Sequence, residues 1–159
     1  MPREHDRIRF SEAELAEFLG SDQLAIVATV DADGEPWCDA AAYLFDADRI
    51  VVKVPVGSRT HRNINADPRV CCVVESLPEG GSYYDIKGAM IHGVATAEDP
   101  VSAASGTLAR LRDPVEPELA GDFALYAIGL DDVVSFAFDK IAYRYDDRST
   151  PPAAAPIGD

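Results

Sequence analysis

The sequence predicts a mainly β domain with minor α content, closed as a small antiparallel barrel. Three observations carry that reading. Apolar, β-branched runs of strand length recur from Leu24–Val30 to Phe123–Leu130. Most are joined by short turns rich in Asp, Gly or Pro, which suit antiparallel neighbours. At 159 residues and 47% hydrophobic, the chain has the length and apolar content of one domain with a real core. No repeat at a solenoid or propeller period competes with this picture.

Each element has its own signal. Ser11-Glu12-Ala13-Glu14 is a capping box, and Leu15, Phe18 and Leu19 form the apolar stripe of a helix over 11–19. Gly20 suits a left-handed cap at its end. Leu24–Val30 is a strand that ends in the tight turn Asp31-Ala32-Asp33-Gly34, and Trp37–Phe45 returns as a second. After Asp46-Ala47-Asp48 comes a third, Ile50–Val54. Residues 58–66 lack strand character and end at Asp67-Pro68, which predicts a short helix. Val70–Val74 is a fourth strand, and Tyr83–Ala97 reads as one long fifth strand. Gly88 and Gly93 inside it signal bulges or close backbone approach. Tyr83 and Tyr84 should then point to opposite faces, leaving one exposed. A helix over 100–112, a loop at Asp113–Pro117, and strands Phe123–Leu130 and Val133–Tyr145 complete the domain, residues 1–148. Residues 149–159, with Pro151, Pro152 and Pro156 among alanines, read as a flexible tail.

Charge narrows the function. Fourteen basic residues face 28 acidic ones, for a net charge of -14. Such a chain repels polyphosphate at long range, so neither nucleic acid nor an anionic membrane is an expected partner. No apolar run approaches the roughly 20 residues of a membrane span. The polar start Met1–Asp6 carries no secretory h-region, so a cytoplasmic location is expected. Cys38, Cys71 and Cys72 show no metal-ligand spacing; no metal is expected, and reduced, structural thiols are. Cys71 and Cys72 should face opposite sides of a strand.

Against this acidic background, five basic residues between Arg49 and Arg69 face a single acid, Asp67. Ser58 and Arg59 start the expected helix, where free amides and the dipole attract an anion. Arg59 and Arg62 share a helical face and suit a phosphate, unless they only pair with the chain's surplus carboxylates. His61 is either a further donor there or a surface residue. Trp37 and Tyr43 are either core aromatics or walls of a ligand groove. His92 reads as a core or interface residue or as a substrate contact. Lys87 reads as a surface lysine or an anion contact. No Ser/His/Asp arrangement supports a catalytic triad.

The stretch from Ile50 to Val70, with Gly57-Ser58-Arg59, Arg62-Asn63-Ile64 and Asp67-Pro68-Arg69-Val70, resembles the central segment of the pyridoxamine 5′-phosphate oxidase-like family of flavin- and deazaflavin-binding proteins. Leu24–Pro36 is similar to that family's opening hairpin, Gly88–Ala95 to its Gly-x(4)-Gly-x-Ala strand, and Ser135–Lys140 to its closing strand. The likeness spans about 11–145.

The resemblance implies an FMN-binding type of antiparallel split β-barrel that forms a homodimer, with a cofactor groove at the subunit interface. It implies a cofactor phosphate at Ser58, Arg59 and Thr60, and a ring along the main chain of Cys38–Tyr43 and Lys53–Val54. Thr60 stands where the family usually has lysine, which weakens the phosphate contact unless Arg62 replaces it. The expected cofactor-binding set is therefore Tyr43, Lys53, Val54, Ser58, Arg59, Thr60 and Arg62, with no catalytic residue assigned. The expected activity is that of an oxidoreductase, a coenzyme F-420-dependent reductase passing hydride to a small organic molecule. F-420 is preferred because the sequence reads as shorter than the vitamin B6 oxidases, with a Pro/Ala stretch where their C-terminal substrate segment is expected. An FMN-dependent oxidase or reductase and a non-enzymatic cofactor-binding dimer are the alternatives.

Overall fold

The computed structural model describes residues 7–21, 24–99 and 122–141. Helix α1 (Glu12–Leu19) precedes strands β1 (Leu24–Val30), β2 (Pro36–Asp46) and β3 (Arg49–Pro55). Helix α2 (Arg59–Ala66) and strand β4 (Arg69–Ser76) follow, then a 3₁₀ turn at Tyr83–Asp85, and strands β5 (Lys87–Val94), β6 (Thr96–Glu98), β7 (Phe123–Gly129) and β8 (Asp132–Ala137). All eight strands join one sheet in the order β6-β7-β3-β2-β1-β4-β5-β8. Every pairing is antiparallel. The sheet curls into an antiparallel half-barrel, as the sequence predicts.

Strand alternation fixes the core. Ala25 and Val27 of β1, Ala41 and Tyr43 of β2, Val52 and Val54 of β3, Cys72 and Val74 of β4, and Ile91 of β5 all point inward and pack with Leu19 and Ile64 from the helices. Helix α1 starts on its expected capping box. The Ser11 amide donates to Glu14 Oε2 at 2.6 Å, and the Glu14 amide donates to Ser11 Oγ at 3.3 Å. Lys140 Nζ also donates to Glu14 Oε2 at 2.7 Å. That bond, joined by those from Ser11, lowers the Glu14 carboxyl to about 2.

Four expectations are corrected. Gly20 is right-handed (φ −75°), because its amide continues the helical bond to Ala16 O at 2.9 Å. Tyr83–Ala97 is three elements. Asp85 accepts from the Ser82 amide (2.7 Å) and hydroxyl (3.0 Å), closing the 3₁₀ turn in place of a strand. Both tyrosines are exposed and meet edge to face at 5.8 Å. At the far end the Ala95 amide donates to Pro68 O, and the chain leaves β4 to pair with β7. Register through β5 is unbroken, so Gly88 marks close approach and no bulge. It lies opposite Phe136, whose Cζ would sit 2.4 Å from an added Cβ. The last strand ends at Ala137 and not at Tyr145: Asp139 turns to Lys87, and Lys140 to Glu14 and Arg9 O. The helix expected over 100–112, the loop at Asp113–Pro117 and the tail over 149–159 lie outside the described residues.

Candidate functional site

The site grows from a change of partner in β2. Residues Pro36–Ala42 pair with β1, whereas Tyr43–Asp46 pair with β3. Strand β3 pairs with β2 only through Val52; Lys53–Pro55 pair with β7 alone. Beyond this point β2 and β3 separate. Among the described residues, Pro36–Ala42 and Lys53–Pro55 have no strand paired between them.

Helix α2 lies across this opening. Gly57, at φ +80°, turns the chain out of β3 in a conformation that few other residues adopt. Ser58 then caps the helix, its Oγ accepting from the His61 amide at 3.1 Å. Inward from the helix, Asn63 Nδ2 donates to Thr29 Oγ1 at 3.0 Å within the core. Thr60, only 1% exposed, donates its hydroxyl to Asp39 Oδ2. Trp37 Nε1 donates to the same oxygen at 2.9 Å.

The basic residues of this region meet acids brought from elsewhere. Arg59 Nη2 donates to Asp31 Oδ2 at 2.7 Å and to Glu35 Oε2 at 2.9 Å, and its guanidinium lies 4.6 Å over the Trp37 ring. The Arg59 bond, reinforced by the Glu35 amide, lowers the Asp31 carboxyl below its ordinary value. Asp31 and Glu35 in turn raise the Arg59 guanidinium. Arg49 pairs with Asp46 and Glu98, and Arg69 with Asp67. Arg62 Nη1 donates to the Gly57 carbonyl. Lys53 Nζ lies 4.7 Å over the Phe123 ring. In space Arg49, Arg59 and Arg69 are thus ion-paired, although along the chain the basic segment stands nearly alone.

The expected site residues fall into two groups. Ser58, Arg59, Thr60 and Arg62 come together around the first turn of α2, with Lys53 and Val54 on the strand leading to it. Of these, Thr60 and Val54 turn their side chains into the interior. Tyr43 stands apart in the core, where its hydroxyl donates to Leu19 O at 3.0 Å and ties down the end of α1. Trp37 is half-buried beneath Arg59. His61 accepts from the Gly57 amide at 3.3 Å through Nδ1. Lys87 pairs with Asp139 at 2.8 Å, and His92 is exposed on the outer face of β5. The three thiols are free, but Cys38 is exposed and only Cys72 is fully buried, its thiol pushed up to about 12 by burial. Asp31, Glu35 and Asp39 were not foreseen. Asp39, a lone acid among the alanines of a strand, was the one visible signal.

A family model of pyridoxamine 5′-phosphate oxidase matches residues 11–141, from the cap of α1 past the end of β8, and so takes in this whole arrangement. The chain belongs to that family. No curated protein matches it. Solved structures share the fold. A conserved hypothetical protein of Mycobacterium tuberculosis has a TM-score of 0.71 at 23% identity, covering 98% of this chain and 99% of that one. A protein described as an F420 reductase has a TM-score of 0.56 at 22% identity, covering 74% and 93%. An FAD-binding protein of Mesorhizobium loti has a TM-score of 0.61 at 18% identity, covering 79% and 94%. The half-barrel is therefore the split barrel of the pyridoxamine 5′-phosphate oxidase family. Among the described residues no helix is long and apolar enough to cross a membrane, and no group of three or more His, Cys, Asp or Glu is poised for a metal.

Proposed function

We propose that this chain is a flavin-type oxidoreductase, an F-420-dependent reductase acting on a small organic molecule. The observation that carries this reading is the separation of β2 from β3 beside the basic first turn of α2, in a chain of this family. The place where β2 and β3 part, between Pro36–Ala42 and Lys53–Pro55, suits a deazaflavin or flavin ring. In this reading Arg59 and Arg62, in the first turn of α2, hold its phosphate end. When bound, the ring supplies hydride transfer; the protein's part is to orient ring and substrate and to exclude water. No side chain is needed as a general base.

We further propose a homodimer. On the outer face of the sheet, Ala40, Ile26, Val73, Met90 and Val134 stand side by side across β2, β1, β4, β5 and β8. Ile26 is 43% and Val134 37% exposed, with Leu24, Val30 and Val94 exposed nearby. An apolar row of this kind across five strands suits a self-complementary interface. A second copy against this face would also wall the cofactor groove.

Titration of the purified protein with coenzyme F-420 and with FMN, followed by absorbance and calorimetry, tests the reading. Tighter binding of F-420 supports it, tighter binding of FMN moves the activity to an FMN enzyme, and binding of neither refutes both. Light scattering should give twice the 17.1 kDa of one chain, and Ile26→Glu should release monomers. A wild-type monomer at micromolar concentration refutes the dimer.

A further inference from the structure

We propose that Asp31 and Glu35 are a charge filter on the phosphate end of this site: by offsetting Arg59 they admit a monoanionic phosphodiester and disfavour a dianionic phosphomonoester. The proposal rests on the flavin-type reading and deepens it by naming the class of phosphate.

The geometry makes the two acids unequal partners in one task. Asp31 Oδ1 accepts from the amides of Asp33 (3.0 Å) and Glu35 (2.9 Å) and so shapes the β1–β2 turn. Its Oδ2 is left to reach across to α2 and hold Arg59. Glu35 is 71% exposed along its side chain, and its carboxylate bonds Arg59 alone among the described residues. Both carboxylates take hydrogens of the same nitrogen, Nη2. A guanidinium has five donors, so Arg59 keeps Nε and Nη1 for an incoming oxyanion while its net charge is more than cancelled. One face of the guanidinium is also taken, by the Trp37 ring, which helps to hold it in one plane.

The local balance follows. Around the first turn of α2 stand two guanidiniums and three carboxylates: Asp31 and Glu35 bond Arg59, Asp39 accepts from Thr60 and Trp37, and Arg62 donates to the Gly57 carbonyl. Hydrogen-bonding capacity is present, but surplus positive charge is not. A ligand carrying one negative charge satisfies the remaining donors. A second charge adds repulsion without adding a donor. Even in a water-like dielectric, a unit charge at about 4 Å changes affinity roughly fivefold.

The test uses three ligands with one ring: riboflavin, FMN, and the methyl ester of FMN, a phosphodiester that differs from FMN by one charge. At pH 8 the FMN phosphate is dianionic, since its second pKa lies near 6. Wild type should bind the methyl ester about fivefold more tightly than FMN. Glu35→Gln should bring the two within about twofold, by tightening FMN and leaving riboflavin unchanged. Asp31→Asn, which keeps an oxygen for the turn amides, should do the same; melting curves check that both variants fold. Equal ester-to-FMN ratios in wild type and Glu35→Gln overturn the filter. So does weaker binding of both phosphates by Glu35→Gln, which would make the acids positioning residues for Arg59. Arg59→Ala separates the two levels of the argument. If it leaves every ligand at its wild-type affinity, or if wild type binds no flavin, the phosphate site itself is refuted and the filter falls with it.

Discussion

Replacing Thr60 by Val removes one hydroxyl and keeps nearly the same shape, so it isolates the bond to Asp39. Thr60 is 1% exposed, and Asp39 takes its other bond from Trp37 on the same oxygen. A hydrogen bond to a charged group contributes about 1.5–3 kcal/mol when buried. Asp39 is only half-buried and water can replace part of the loss, so a destabilisation of about 1–2 kcal/mol is expected. For a domain of this size that lowers the melting temperature by about 2–8 °C. Urea unfolding at fixed protein concentration should show a lower midpoint with an unchanged slope. A cycle with Asp39→Asn should give a coupling above 0.5 kcal/mol, roughly the limit of additivity for independent sites. Additive effects, or a Thr60→Val variant within 0.5 kcal/mol of wild type, would refute the reasoning. Thr60→Lys, which restores the residue usual at this turn in the family, must break the same bond from a buried Cβ. It is expected to destabilise by a similar amount without strengthening phosphate binding. A stable Thr60→Lys protein that binds FMN more tightly would show that this position faces the ligand.

Tyr43→Phe removes the hydroxyl that holds Leu19 O. It should cost about 1 kcal/mol in a thermal melt and leave cofactor affinity unchanged, because the tyrosine stands in the core. Gly88→Ala places a Cβ against the Phe136 ring and should cost about 1–3 kcal/mol; Phe136→Ala in that background should cost less than it does alone, measured by urea midpoints. Glu14, lowered to about 2 by Lys140 and Ser11, contributes stability that is present above its ordinary value of 4.5 and lost as pH falls toward 2. The pair is 28% and 45% exposed, so the contribution is a few tenths of a kcal/mol. Glu14→Gln should be less stable than wild type at pH 6, with the difference closing by pH 2.5.

The elements that could be read from the sequence are those in which local rules and tertiary packing agree. The α1 capping box, the apolar β-branched run Leu24–Val30, and the Ser58 cap after Gly57 each follow from chemistry within a few positions. Tyr83–Ala97 misled because composition does not register a side chain bonding its own backbone. The Asp85 carboxylate captures Ser82 and turns the chain at a place where the tyrosines favour a strand. The break at Ala95 is likewise set from outside, by Pro68 O, 27 residues earlier. Tyr43 shows the same limit in the site. A strand aromatic beside a suspected groove reads equally as wall or core, and only the position of Leu19 O decides.

The charges make the deeper point. Of the six charged residues from Arg49 to Arg69, five are cations, and counted along the chain this is a positive island. In space, antiparallel pairing returns the β1–β2 turn to the start of α2 and delivers Asp31 and Glu35 to Arg59, 28 and 24 residues away. The same sheet brings Glu98 to Arg49 across 49 residues. A chain with twice as many acids as bases supplies carboxylates to Arg49, Arg59 and Arg69 once it folds. What the sequence places at the head of α2 is therefore a set of donors in forked geometry and not a reservoir of positive charge. For an anion the distinction matters, because donors set which oxygens are held and net charge sets how many negative charges are welcome. Here the first is kept and the second removed, so selectivity at this site should follow ligand charge more than ligand shape.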